Sequence, residues 1–202
     1  MYVLSFRPLP LLTVIMLAAF ATTSVTARAA DQPAKKPTVV KLAGGKLSLS
    51  APGQWTSRQP RVSIIDYEFA IPAAEGDKID GRLTIMRASG GVDANIQRWF
   101  GQFTQPDAKK TTKEAAKVSK STIAGQVVHQ VDVSGTYNDQ RGPFVPGVKR
   151  ENYRMLAAII EAAEKQGDRD VPLGTYFIKF YGPRKTVDAN AKAFAEMINS
   201  LK

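Results

Sequence analysis

The sequence predicts an α+β domain built on a mainly antiparallel sheet, with helices packed on its faces. Three observations lead there. Several stretches alternate apolar and polar residues with a period of two, and two others space their apolar residues by three and four. The order along the chain is strands, a helix, more strands and a terminal helix, which suits a layered sheet better than a βαβ repeat.

Short strands are expected at about 39–42 and 46–50. Over 62–71, Ile65, Tyr67, Phe69 and Ile71 share one face while Asp66 and Glu68 lie opposite, so a longer strand is expected. Residues 81–88 repeat the pattern through Leu83 and Ile85. Behind Gly90-Gly91, Asp93 is placed to cap a helix in which Ile96, Trp99, Phe100 and Phe103 fall at i, i+3, i+4 and i+7. Val127, His129, Val131 and Val133 then line one face of a strand, with Gln130, Asp132 and Ser134 on the other.

Residues 155–166 fit two readings. Their Ala and Glu content suits a helix, but Met155, Ala157 and Ile159 opposite Leu156, Ala158 and Ile160 suit a strand covered on both faces. A strand to about Ile160 is preferred, followed by a polar turn through Gly167-Asp168. Tyr176, Ile178 and Phe180 oppose Phe177 and Tyr181, which places this strand inside the sheet with both faces covered. Gly182-Pro183 breaks it, and Val187, Ala191, Phe194, Ile198 and Leu201 form the stripe of a final helix.

The 202 residues carry 28 Lys plus Arg against 18 Asp plus Glu, one His and no Cys. Without sulfur there is no disulfide framework, thiolate metal site, cysteine nucleophile or Cys-anchored lipid. Arg7, an apolar run over 9–21 and the small-residue ending Ala27-Arg28-Ala29 read as a secretory signal peptide, cleaved after Ala29 or after Ala27. The run is shorter than the ~20 residues of a membrane span. Removing residues 1–29 takes away Arg7 and Arg28 and no acid, lowering the net charge from +10 to +8. An exported chain with this balance meets anionic lipid, acidic glycan or acidic protein before nucleic acid. Residues 30–37, with Pro33 and Pro37 around Lys35-Lys36, read as a flexible leader, and 38–202 as a single α+β domain.

Pro52-Gly53-Gln54-Trp55 stands ahead of a long strand, and Tyr176-x-x-x-Phe180 leads through Gly182-Pro183 into a last helix holding Phe194, Met197-Ile198 and Ser200. With the single mid-chain helix, this order resembles the PsbP-like superfamily over about 46–201. The resemblance implies an antiparallel sheet sandwiched between helices, in a group of extracytoplasmic accessory or binding proteins most of which have no catalytic activity. Photosystem-type metal ligands do not carry over, since no matching His/Asp motif stands here.

The chemistry inventory is short. His129 sits among valines, which suits a satisfied core histidine better than an acid–base or zinc residue, and no H-E-x-x-H is present. Glu75, Asp77 and Asp80, and again Asp168 and Asp170, lack calcium-loop spacing and read as solvated turns. Gly90-Gly91 lacks the rest of a phosphate loop. Lys109, Lys110, Lys113, Lys117 and Lys120 have no interleaved aromatics, so a solvated or anion-facing surface fits better than a nucleic-acid groove. Trp55, Trp99 and Phe103 read as core anchors.

No catalytic, cofactor or metal residue is assigned. The preferred function is an exported, non-catalytic binding or accessory protein of the cell envelope, and the alternative is a small envelope hydrolase or transferase using His129 or a carboxylate as acid–base. The expected partner is a protein or an anionic envelope component, with no nucleic acid. Its contacts are expected in the 137–152 segment, read as a loop, where Phe144 and Val145 lie between Arg141 and the pair Lys149-Arg150. The rival role for Phe144 and Val145 is to cover the sheet edge.

Overall fold

The computed structural model describes residues 35–107, 109, 111, 115–140 and 146–202. The signal reading over 1–29 and residues 30–34 of the leader lie outside the described residues, which all belong to the unit Ala34–Lys202. Among the described residues, no helix is long and apolar enough to cross a membrane.

The strands are β1 (Thr38–Leu42), β2 (Leu47–Ala51), β3 (Thr56–Arg58), β4 (Tyr67–Ile71), β5 (Gly81–Arg87), β6 (Phe103–Thr104), β7 (Lys117–Ile123), β8 (Gln126–Asp139), β9 (Val148–Gln166) and β10 (Arg169–Pro183). The helices are α1 (Val92–Phe100) and α2 (Arg184–Asn199). β1 and β2 form a hairpin of their own, and the other eight strands form one antiparallel sheet in the order β3-β4-β5-β10-β9-β8-β6, with β7 beside β8. The α+β class and the antiparallel sheet are those the sequence predicts.

Alternation along each strand sorts the core into two halves. Phe69, Leu83, Ile85, Val128, Ala158, Ile160, Ile178 and Phe180 point to one face, where they meet Val187, Phe194 and Ile198 of α2 and the inner side of the β1–β2 hairpin. Val131, Val133, Met155, Ala157, Ile159 and Phe177 point to the other face, against Ile96, Trp99 and Phe100 of α1. β10 lies between β5 and β9, so both its faces are covered, as its apolar residues require. Trp55 packs on Phe180 with ring centroids 5.9 Å apart and donates its Nε1–H to Asn190 of α2 at 3.1 Å. Trp99 meets Phe177 edge-on at 6.1 Å. Burying these large rings anchors a sheet that has no cross-link.

Four expectations change. The strand expected over 62–71 begins only at Tyr67, because Ile65 N donates to Val62 O at 3.2 Å in a turn and Asp66 bonds Arg87 of β5. Helix α1 begins behind Gly91 without a side-chain cap; Asp93 lies in its first turn, where a negative charge suits the helix dipole, and Phe103 is buried from β6 beyond the helix end. β9 continues past Ile160 to Gln166, and the turn at Gly167 follows. The 137–152 loop shrinks to 140–147, since Tyr137, Asn138 and Asp139 pair with Arg150, Lys149 and Val148. A bulge at Gly135 makes this extension possible. Its φ of +152° disfavours a side chain, and a Cβ there would lie 2.6 Å from Thr104 O.

Candidate functional site

β10 carries Phe177, Lys179 and Tyr181 on the α1 face, so a lysine stands where alternation would place another apolar residue. Its cross-strand neighbours are Thr84 of β5 and Ala157 of β9, and both are small enough to leave room for the amine. Lys179 Nζ donates to Gln102 Oε1 at 2.5 Å and reaches Tyr137 Oη at 3.4 Å. It also lies 5.1 Å from the Tyr137 ring centroid and 4.7 Å from that of Tyr181, within cation–π range. Gln102 is held in turn by the chain just after α1, where Asn138 N donates to its carbonyl at 2.8 Å.

The tyrosines continue outward. Tyr137 stacks on Tyr153 with centroids 5.9 Å apart, and Phe103 and Tyr181 close on Tyr137 at 5.2 and 5.1 Å. Arg82 donates two hydrogen bonds to Glu68, at 2.9 and 2.8 Å, and a third to Tyr181 Oη at 2.8 Å. The cluster thus joins β4, β5, β10, β8, β9 and the end of α1 through one polar and aromatic network.

Its electrostatics follow from packing. Desolvation, with Arg82 and Arg98 adding repulsion, pushes the Lys179 amine down to about 7, against a smaller opposing pull from Asp139. Desolvation raises the Tyr137 and Tyr153 phenols above their ordinary value, so both stay neutral. Hydrogen bonding to Arg82 holds Glu68 below the usual carboxylate range. The result is a set of phenols around one desolvated amine beside one satisfied ion pair, with Tyr137 and Tyr153 buried in the fold.

Of the expected contact residues, Lys149 and Arg150 are described, at the same end of the sheet as the tyrosines. Lys149 and Arg150 lie in β9, where Arg150 Nε donates to Asp139 Oδ2 at 3.1 Å across the hairpin. Arg141, Phe144 and Val145 lie outside the described residues. His129 is partly buried on the α1 face of β8, with Nε2 2.8 Å from Glu161 Oε1. A cavity of about 250 Å³ lies between α2 and the β7–β8 edge, with Lys117, Gln130, Arg154 and Phe194 in its wall. Another, of about 360 Å³, lies by Phe100, Phe103 and Thr111. Neither of these two is lined by His129 or Lys179.

The other candidates have structural partners. Asp77 accepts from Thr186 N at 2.9 Å and Thr186 Oγ1 at 2.6 Å, serving the start of α2. Asp80 accepts from Ala73 N at 3.1 Å. Lys117 and Lys120 stand exposed on β7, and Lys109 pairs with Asp107; Lys110 and Lys113 lie outside the described residues. The sequence reading passed over Lys179 and its tyrosines. The available signal was a lysine at an inward position of a strand expected to be covered on both faces.

No protein-family model matches the chain, and no curated protein matches it by sequence. Comparison with solved structures finds cyanobacterial PsbP (CyanoP) from Synechocystis sp. PCC 6803, at 11% identity and TM-score 0.44, over 83% of this chain and 92% of that one. It also finds PA94 of Pseudomonas aeruginosa, a protein of unknown function, at 14% identity and TM-score 0.42, over 82% of this chain and 95% of that one.

Proposed function

We propose that the protein is an exported, non-catalytic binding or accessory protein of the cell envelope, which holds an acidic protein partner at the end of the β8–β9 hairpin. The observation that supports this reading is the arm of β9 at Val148-Lys149-Arg150, where Val148 and Lys149 are exposed and the buried, stacked Tyr137 and Tyr153 hold its base. Val148, 54% exposed, offers apolar area beside the cations, the combination of buried apolar contact and polar rim that protein interfaces use. The cationic arm adds attraction for an acidic surface.

A second reading, a small envelope hydrolase or transferase, draws on the His129–Glu161 pair, since a carboxylate orients an imidazole for acid–base work. Glu161 is half exposed, and neither described cavity reaches the pair, which weighs against that role.

The test is affinity capture from the native envelope with three forms of the chain. The binding reading expects one protein captured by the unaltered chain, lost with Lys149→Glu/Arg150→Glu, and retained with Lys117→Glu/Lys120→Glu on β7. Capture unaffected by the hairpin change would overturn it, as would a turnover that disappears with His129→Gln.

A further inference from the structure

The opposite end of the sheet carries a second surface. β5 runs from Arg82, beside the tyrosines, to Arg87, beside the connection between β3 and β4. That connection, 59–66, leaves Val62 52% and Ile64 59% exposed, among the most exposed large apolar side chains described. It is nevertheless an ordered loop. Ile65 N donates to Val62 O at 3.2 Å, Asp66 N to Ile85 O at 2.9 Å, and Arg87 N to Asp66 Oδ2 at 3.0 Å. A turn fixed at its base therefore presents two aliphatic side chains outward instead of folding them onto the core.

The charges around it are mostly of one sign. Arg58 and Arg61 flank the aliphatic pair, Arg87 is exposed at its base, and Lys41 is exposed where its backbone meets Tyr67 Oη at 3.2 Å. Of the acids nearby, Asp66 is bonded to the Arg87 backbone and Glu68 is neutralised by Arg82.

We propose that the 59–66 loop docks the protein on an anionic lipid surface, with Val62 and Ile64 entering the headgroup and acyl boundary and Arg58 and Arg61 held at the phosphates. Aliphatic side chains on a basic rim match an anionic bilayer in both respects: apolar burial supplies insertion, and each cation near the surface adds roughly 1 kcal/mol, about five-fold in binding. This site lies at the other end of the strands from the proposed protein contact and does not depend on it.

Because the chain has no cysteine, a nitroxide can be placed at one position in the full-length protein. The probe is the label on Ser63→Cys, with Lys120→Cys on β7 as the reference, mixed with vesicles of phosphatidylglycerol or of phosphatidylcholine. The label at 63 is expected to move into lipid with phosphatidylglycerol alone, while that at 120 stays in water. Replacing Arg58 and Arg61 by Ser is expected to weaken this insertion about five-fold per arginine, and Val62→Ser/Ile64→Ser to remove it. A label at 63 that stays in water with both vesicles, or that enters phosphatidylcholine equally well, overturns the proposal. Vesicle binding through a retained 9–21 run would be common to every variant and would leave the label at 63 in water, so it is distinguished from docking by the loop.

Discussion

Lys179 Nζ lies 4.7 Å from the ring centroid of Tyr181, two residues further along the same strand and on the same face of the sheet. The amine is thereby exchanged from water into a setting of ring faces, one amide oxygen and one phenol. Such a setting disfavours the charged form, and it makes the stability of the fold depend on pH.

With the folded-state value near 7 and the ordinary value at 10.5, the unfolded chain binds more protons between those limits. Stability should therefore rise with pH from about 7 to about 10, with a slope from this group of at most about 1.4 kcal/mol per pH unit. Above about 10, the raised phenols of Tyr137 and Tyr153 act in the opposite sense, since the unfolded tyrosines lose protons first. Chemical denaturation across pH 6–10 measures the slope, and Lys179→Met should flatten it.

Glu68 supplies the acid limb. Its value is lowered by Arg82, so its contribution is present above the ordinary 4.5 and is lost as pH falls through the folded-state value. Glu68→Gln should cost no more than about 1 kcal/mol at neutral pH, since the half-exposed pair is screened by solvent, and the cost should shrink toward pH 3. Urea midpoints of the two forms at pH 7 and pH 3 give the comparison.

Asp77 anchors the first turn of α2 from a distant loop, and no residue of that helix end supplies a side-chain cap. Asp77→Ala should destabilise the protein by about 0.5–2 kcal/mol, the range for loss of an N-terminal cap. Hydrogen exchange should quicken in the first turn of α2 while the amides of β9 stay protected. Equal loss of protection in both would point to global opening and count against a local cap.

His129 pairs with a half-exposed Glu161, and such pairs contribute at most about 1 kcal/mol. His129→Gln should therefore leave the melting temperature nearly unchanged and partner capture intact. A partner or activity lost at constant melting temperature would assign this residue a functional role.

Much of this architecture was legible because alternation is a local property. Leu83 and Ile85, Val131 and Val133, and the two-sided pattern of Tyr176 to Tyr181 each report which way a side chain points before any partner strand is known. The same holds for the α2 stripe through Val187, Phe194 and Ile198.

What the sequence determined by itself was the α+β class, the strand at the centre of the sheet and the helices that cover it, since apolar periodicity must match burial. Tertiary structure alone decided the rest. β7 has no buried residue and exists because β8 offers it a hydrogen-bond ladder from Asp132 to Gln126. The polar ends of β8 and β9 became strands by pairing with each other, and residues 62–66 left theirs because Asp66 found the Arg87 backbone. Lys179 met its tyrosines only when β8, β10 and the end of α1 converged. In each case the deciding energy is a bond or a desolvation between residues far apart in the chain, and no local period carries that information.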